Sequence, residues 1–211
     1  TDISKSVYTV YKYENGNISS EGYIRNGKPD GYWKTYYENG KIKSEGNRKN
    51  FVLDSIWKFY NEEKKLILEI TYKNGKKNGI KTTYTADEIV KENYVNDVKQ
   101  ELTSYYYLNG MLRQSINFVN GKEQGIAKEY DKNGNVITLM EYKKGYLISK
   151  EKVNRYNYDS LMQGKWVEFY ANGNLKSEGN YTTGIKNGYF KEYDFDGNLL
   201  SVVKYVNGVL Q

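Results

Sequence analysis

Apolar and polar residues alternate along most of this chain in short runs, broken by turns rich in Asn and Gly. The stretch Glu21–Asn50 shows the pattern whole. Gly31 to Tyr37 alternates around Trp33, Tyr36 and Tyr37, and after Asn39-Gly40 the run from Lys41 to Asn47 returns. Alternation with a period of two specifies β-strands with one face toward a core. An Asn-Gly pair between two such runs reads as a two-residue type I′ turn, which needs positive φ at both positions. Asn26-Gly27 opens what reads as a longer connection ending at Gly31. Registering the hairpin on Asn39-Gly40 pairs Tyr37 with Ile42, Tyr36 with Lys43, Lys34 with Glu45 and Trp33 with Gly46. One face then carries Trp33, Thr35, Tyr37, Ile42 and Ser44. The other carries Tyr32, Lys34, Tyr36, Lys43 and Glu45.

This unit repeats. The aromatic of the outgoing strand recurs at Tyr36, Tyr60, Tyr84, Tyr106, Tyr130, Phe169 and Tyr193, in steps of 24, 24, 22, 24, 39 and 24. The aliphatic of the return strand recurs in near-equal steps at Ile42, Leu66, Ile89, Leu112, Val136, Leu175 and Leu199. With a degenerate first unit around Tyr13–Ile18, the two series predict about eight hairpins of 22–24 residues filling 1–211. The expected architecture is all-β: an elongated, twisted antiparallel array, an open single-layer solenoid rather than a globule. One unit replaces its Asn-Gly turn with Asn61-Glu62-Glu63-Lys64-Lys65, and the next is shortened around Thr85–Glu88. The long step adds an insertion at about 146–163. It reads as an extra strand or crossover, or as a partner-contact loop presenting Arg155, Tyr156 and Tyr158.

Glu21-Gly22, Asn26-Gly27-Lys28, Gly31, Tyr37 and Asn39-Gly40 resemble the MORN repeat. Trp33 stands where that repeat has the second glycine of its G-x-G, as do Trp57, Trp166 and Phe190 in later units. This departure resembles the bacterial MORN-variant branch, with its YwqK-type antitoxins of toxin–antitoxin systems. The resemblance implies the β-hairpin array and a toxin-neutralising antitoxin or immunity role; one fold hosts many functions.

Composition narrows the chemistry. The chain has no Cys and no His, which excludes disulfides, thiol nucleophiles, Cys-based zinc sites and imidazole acid–base catalysis. Carboxylates alternate with Lys, and no spacing isolates the pair that a general acid needs. Asn-Gly-Lys at Asn26, Asn74 and Asn120 sits in hairpin turns with no helix following, so it is not a phosphate loop. Asp194, Asp196 and Gly197 resemble part of a calcium loop but match a hairpin tip. No enzyme activity, metal or cofactor is expected. The net charge is +6, yet only four of the 32 basic residues are Arg. Phosphate and base readers favour the planar guanidinium, so nucleic acid is not expected as a partner. No run of 18 apolar residues exists to span a bilayer as a helix.

The expected function is non-enzymatic protein binding. The expected contact surface is the Trp-bearing face toward the ends of the array: Trp33, Tyr37, Trp57 and Phe59 in early units, Trp166, Tyr170 and Phe190 in late ones. In the middle units the Trp position holds Lys81, Thr103 and Ala127, so the apolar character thins there. The alternative for the same rings is burial within their own units, with Trp33 and Trp166 laid over the cross-strand Gly46 and Gly179. A second functional alternative is an envelope-associated protein whose aromatic and Lys faces meet membrane lipid or glycan. Self-association is a third. The sequence starts at Thr1 rather than Met. A signal peptide or lipoprotein leader upstream would place it in the periplasm or at the surface, and an initiator Met would favour a cytoplasmic antitoxin.

Overall fold

The structure is a computed structural model and describes residues 5–211, so the first four residues of the expected array lie outside the described residues. Its backbone divides into two compact units, 1–124 and 125–211. In the first, β1 (Val7–Lys12), β2 (Ile18–Arg25), β3 (Lys28–Tyr36), β4 (Ile42–Lys49), β5 (Val52–Tyr60), β6 (Leu66–Lys73), β7 (Lys76–Tyr84), β8 (Glu88–Val95), β9 (Val98–Tyr107) and β10 (Leu112–Val119) pair in chain order, each antiparallel to the next. The short β11 (Lys122–Glu123) adds to β10. The second unit holds β12 (Gly125–Tyr130), β13 (Val136–Lys143) and β14 (Tyr146–Lys152) as one ladder. Its other ladder holds β15 (Arg155–Tyr156), β16 (Met162–Phe169), β17 (Leu175–Thr182), β18 (Ile185–Lys186), β19 (Gly188–Tyr193), β20 (Leu199–Val206) and β21 (Val209–Leu210). Among the described residues there is no helix, and the sheets are open rather than closed into barrels.

Two turns alternate along the chain, and their roles are the reverse of the expectation. The two-residue type I′ turn is at Asn26-Gly27, with φ of 52° and 74°, not at Asn39-Gly40. It recurs with both φ positive at Asn50-Phe51, Asn74-Gly75, Asn96-Asp97, Asn120-Gly121, Lys144-Gly145, Thr183-Gly184 and Asn207-Gly208. At the other end of the hairpin, Tyr37 N–H donates to Lys41 O and Gly40 N–H to Tyr37 O, a pair of bonds that the other described tips repeat except the one at Thr85–Glu88. That is a three-residue loop closed by a glycine bulge. The extra residue shifts the register next to the tip, so Tyr36 rather than Tyr37 opposes Ile42, while Lys34–Glu45 and Trp33–Gly46 pair as expected.

The β2/β3, β4/β5, β6/β7 and β8/β9 junctions also carry a bulge. Between Gly22–Trp33 and Ile24–Pro29 the single residue Tyr23 faces Asp30, Gly31 and Tyr32. The bulged residue takes positive φ: Gly31 (103°), Ser55 (61°), Gly79 (119°) and Glu101 (59°). Gly is free of the Cβ clash that makes such φ unfavourable, which explains its presence at two of these four positions. At Gly79, for instance, it stands 48 residues after Gly31.

The core follows the ring–glycine pairing, with one correction. Trp33 lies on Gly22 and Trp57 on Gly46, the glycines of the preceding return strand, rather than on the glycine opposite in the same hairpin. A Cβ on Gly46 would come within 2.4 Å of the Trp57 ring. Phe190 covers Gly179 in the same manner, at 2.3 Å. The middle units do not lack bulk. Where the ring position shrinks to Thr103 or Ala127, the residue opposite grows to Ile116 or Met140, and all four are buried.

Candidate functional site

The face of Tyr36 is a ladder that runs from unit to unit. Tyr36 donates its hydroxyl hydrogen to Glu21 (2.5 Å), Tyr60 to Glu45 (2.8 Å), Tyr84 to Glu69 (2.9 Å) and Tyr193 to Glu178 (3.1 Å). Each ring thus ties its own unit to the preceding one, fifteen residues back. Across the same face Lys34 and Lys58 stand opposite Glu45 and Glu69, while Lys81 and Glu92 face each other on the Trp side. Burial pulls the Glu45 carboxyl up, but hydrogen bonds from Tyr60 and Tyr32 outweigh it and hold it below the ordinary range. Glu92 and Glu178 behave alike, with Lys81 and Lys99, or Lys191 and Lys165, as the opposing partners. The tips form a second ladder: Tyr13, Tyr37 and Tyr170 donate to the carbonyls of Tyr36, Tyr60 and Tyr193. The Asp194 carboxylate accepts from the backbone N–H of Asp196 and Asn198, so that loop is a capped hairpin tip.

The sequence-derived contact residues fall into three environments. Trp33 and Trp57 are buried, at 7% and 3% exposure, and Trp57 Nε1 donates to Asn47 O. Both rings are core. Tyr37 and Phe59 are half-buried, and Lys43 stacks over the Tyr37 ring. Phe190 packs between Tyr181 and Tyr205, with Lys186 above it. Tyr158 is fully exposed on the tip that joins β15 to β16, and Tyr156 and Arg155 are exposed beside it. Trp166, Tyr170 and Tyr156 come together, lining one groove of about 680 Å³ in the second unit.

The insertion builds that groove. Tyr146–Tyr156 is nearly one strand that pairs first with β13 and then with β16. Val153 N–H donates to Ile137 O on one side and Asn154 N–H to Lys165 O on the other. The Asn154 side chain bridges both ladders, donating to the carbonyls of Val136 and Val167 and accepting from Val167 N–H. Beyond this crossing no strand lies between the tip of β12–β13 and the tip of β16–β17, and the groove opens there. Tyr130, Asp131 and Val136 line one wall, and Trp166, Phe169 and Tyr170 the other.

Lys128 projects across it, with Nζ donating to Gly173 O (2.7 Å) and standing 3.6 Å from the centre of the Phe169 ring. Burial pushes its pKa down to about 8. The carboxylates in the groove have partners of their own. Glu168 pairs with Lys176 (3.2 Å), and Asp131 accepts from Asn133, Asn135 and the Asn135 amide. Trp166 Nε1 is buried without a hydrogen-bond partner. The sequence reading missed Lys128 and Asn154. The available signal was that Phe169 and Asn154 break the Tyr–Glu ladder at the same rung, fifteen residues apart.

Among the described residues no group of three or more Asp and Glu side chains is placed to hold a metal ion. No curated protein matches the chain. The model of the MORN repeat variant matches residues 29–50, 53–74, 102–120, 123–144, 162–182 and 186–207. The stretch it passes over between 74 and 102 contains the shortened tip at Thr85–Glu88, where Tyr84 pairs directly with Ile89 and the bulge is missing. Six matched repeats cover more than half of the residues, and their hairpins are those of the ladder: the chain belongs to the MORN repeat variant family.

Proposed function

We propose that this chain is a non-enzymatic scaffold that binds another protein. Repeats of this family commonly mediate binding to proteins or membranes. The observation that carries the protein reading is the apolar surface of β20 and β21. Leu200 and Val209 are 64% and 63% exposed, and Leu199, Val202, Val206 and Leu210 are exposed with them. Val202 stands one repeat step of 24 after Glu178, so a ladder carboxylate is replaced here by an open apolar side chain. Contiguous exposed apolar surface marks interaction sites. Most ladder carboxylates are held by Tyr or Lys, as structural groups are. The specific form of the reading is an antitoxin or immunity protein that occupies a toxin's surface.

The test is affinity capture from the native host with wild-type chain and with Leu200→Lys/Val202→Lys as bait, beside sedimentation with anionic vesicles. A protein held by the wild type and lost by the variant, with the melting curve preserved, supports the proposal. Co-expression that rescues growth from that protein supports the antitoxin form. Equal capture by both baits removes this surface from the function. Vesicle binding lost in the variant moves the reading to a membrane.

A further inference from the structure

The repeat supplies a template against which Lys128 is an exception. At the corresponding place Lys34 and Lys58 face Glu45 and Glu69 across the hairpin. Lys128 faces Leu139. In the rung that forms the other wall of the groove, the position that carries Glu21, Glu45, Glu69 and Glu178 elsewhere holds Asn154, whose amide is consumed by the strand crossing. The ring that would bind such a carboxylate is Phe169, which has no hydroxyl. Neither of these two positions supplies a carboxylate to the groove, while the cation is kept. Its polar partner is the Gly173 carbonyl, a dipole rather than a counter-charge. Buried charges are ordinarily paired, and an uncompensated one in a cleft is a candidate anchor for a ligand of opposite sign.

The space beside it suits such a ligand. A groove of about 680 Å³ falls in the size range of small-molecule sites, which combine apolar walls with a few placed polar groups. Tyr130, Tyr156, Trp166, Phe169 and Tyr170 provide the aromatic surface. Asp131 and Glu168, the carboxylates in the lining, are engaged by the Asn133 and Asn135 amides and by Lys176, so neither holds the Lys128 ammonium.

We propose that the groove between the β12–β13 and β16–β17 tips binds a carboxylate carried on an aromatic or aliphatic body, with Lys128 as the anchor. The Lys128 ammonium replaces a missing intramolecular glutamate by an external one, and the rings take up the apolar body. The site lies within the second unit and does not depend on the protein-binding surface of β20 and β21. A small free acid and a glutamate side chain of another protein present the same chemistry.

The experiment is a titration of the full chain, followed by 15N NMR at the Trp166 indole N–H. The probes are 3-phenylpropanoate, its neutral amide, and the capped peptide acetyl-Phe-Glu-Phe-amide. The expected result is saturable binding of 3-phenylpropanoate or the peptide, with the Trp166 signal shifting and the neutral amide silent. The tighter of the two names the source. Lys128→Gln weakens binding about tenfold or more, as loss of a charge-assisted hydrogen bond requires. Lys128→Arg keeps most of the affinity, and Lys143→Gln, on an exposed lysine outside the groove, leaves it unchanged. Binding also weakens as the pH rises past about 8, where the free ammonium is lost. Equal binding of acid and amide, affinity unaltered in a folded Lys128→Gln chain, or no saturable shift up to the solubility limit overturns the proposal.

Discussion

At the scale of single residues, steric limits at positive φ and at close ring contacts decide the outcome. Phe51 at 70° and Glu101 at 59° occupy backbone that Gly fills in sister units. Left-handed backbone costs a non-glycine residue about 1–2 kcal/mol, and Gly gives back part of that as unfolded-state entropy. Glu101→Gly is therefore expected to stabilise the protein by about 0.5–1 kcal/mol, read from the midpoint of urea unfolding. The opposite sign is expected at Gly46. A methyl there collides with the Trp57 ring at 2.4 Å, and Trp57 is pinned by its bond to Asn47 O. Gly46→Ala should cost about 3 kcal/mol by overpacking, and thermal unfolding would show it as a clear fall in Tm.

At the scale of elements, hairpins are held to one another by side-chain bonds repeated at fixed separations rather than by a covering layer. The Tyr hydroxyls join units through glutamates fifteen residues back and through carbonyls 23 residues ahead. The crossing at Asn154 has no such redundancy. Its amide makes three hydrogen bonds that no neighbour repeats, and its own φ is 54°, which Asn tolerates better than most residues. Asn154→Ala leaves two carbonyls and one N–H without that partner and adds backbone strain. A loss of at least about 2 kcal/mol is expected. Hydrogen exchange should rise first in β14 to β16; unchanged protection there would show that the crossing is held by other means.

At the scale of the whole molecule, the ladders make stability depend on pH from both sides. Glu21 is held below the ordinary glutamate value of 4.5 by the Tyr36 hydroxyl. Glu45, Glu92 and Glu178 are held below it where hydrogen bonds outweigh burial. A carboxyl depressed in the folded state stabilises fully above its unfolded value and loses that contribution as the pH falls through the folded value. Tyr32, Tyr60 and Tyr94 are pushed up to about 12, first by burial and then by the adjoining glutamates. Their contribution is complete below the ordinary 10.0 and is lost as the pH rises toward the folded values. Lys128 runs the other way. Its folded value of about 8 lies below the ordinary 10.5, so its protonation opposes folding and stability rises between them. Urea unfolding across pH should show an acid fall below 4.5 and a separate rise above pH 8 that disappears in Lys128→Gln. An acid limb that starts well above 4.5 would contradict the assignment of the glutamates.

The repeat, the strands and the pairing of Lys34 with Glu45 and Trp33 with Gly46 were legible because each depends on local spacing. A period-two pattern sets which side of the sheet a residue takes, and a repeated step sets which residues are equivalent. Turn type was not legible from the Asn-Gly pairs alone. The same dipeptide closes a two-residue turn at Asn26-Gly27 and ends a three-residue loop at Asn39-Gly40, and the choice rests on how each turn sits against its neighbours. Which glycine each ring covers was likewise a matter between units, settled by Trp57 reaching back onto Gly46. The groove was the least legible feature. Lys128 and Gly173 are 45 residues apart, and they meet because one strand pairs in turn with two different ladders. Local spacing determined the hairpins and their faces. Only tertiary pairing decided where a strand is missing between two of them, because that depends on how far β14 runs before Asn154 hands it from one ladder to the other.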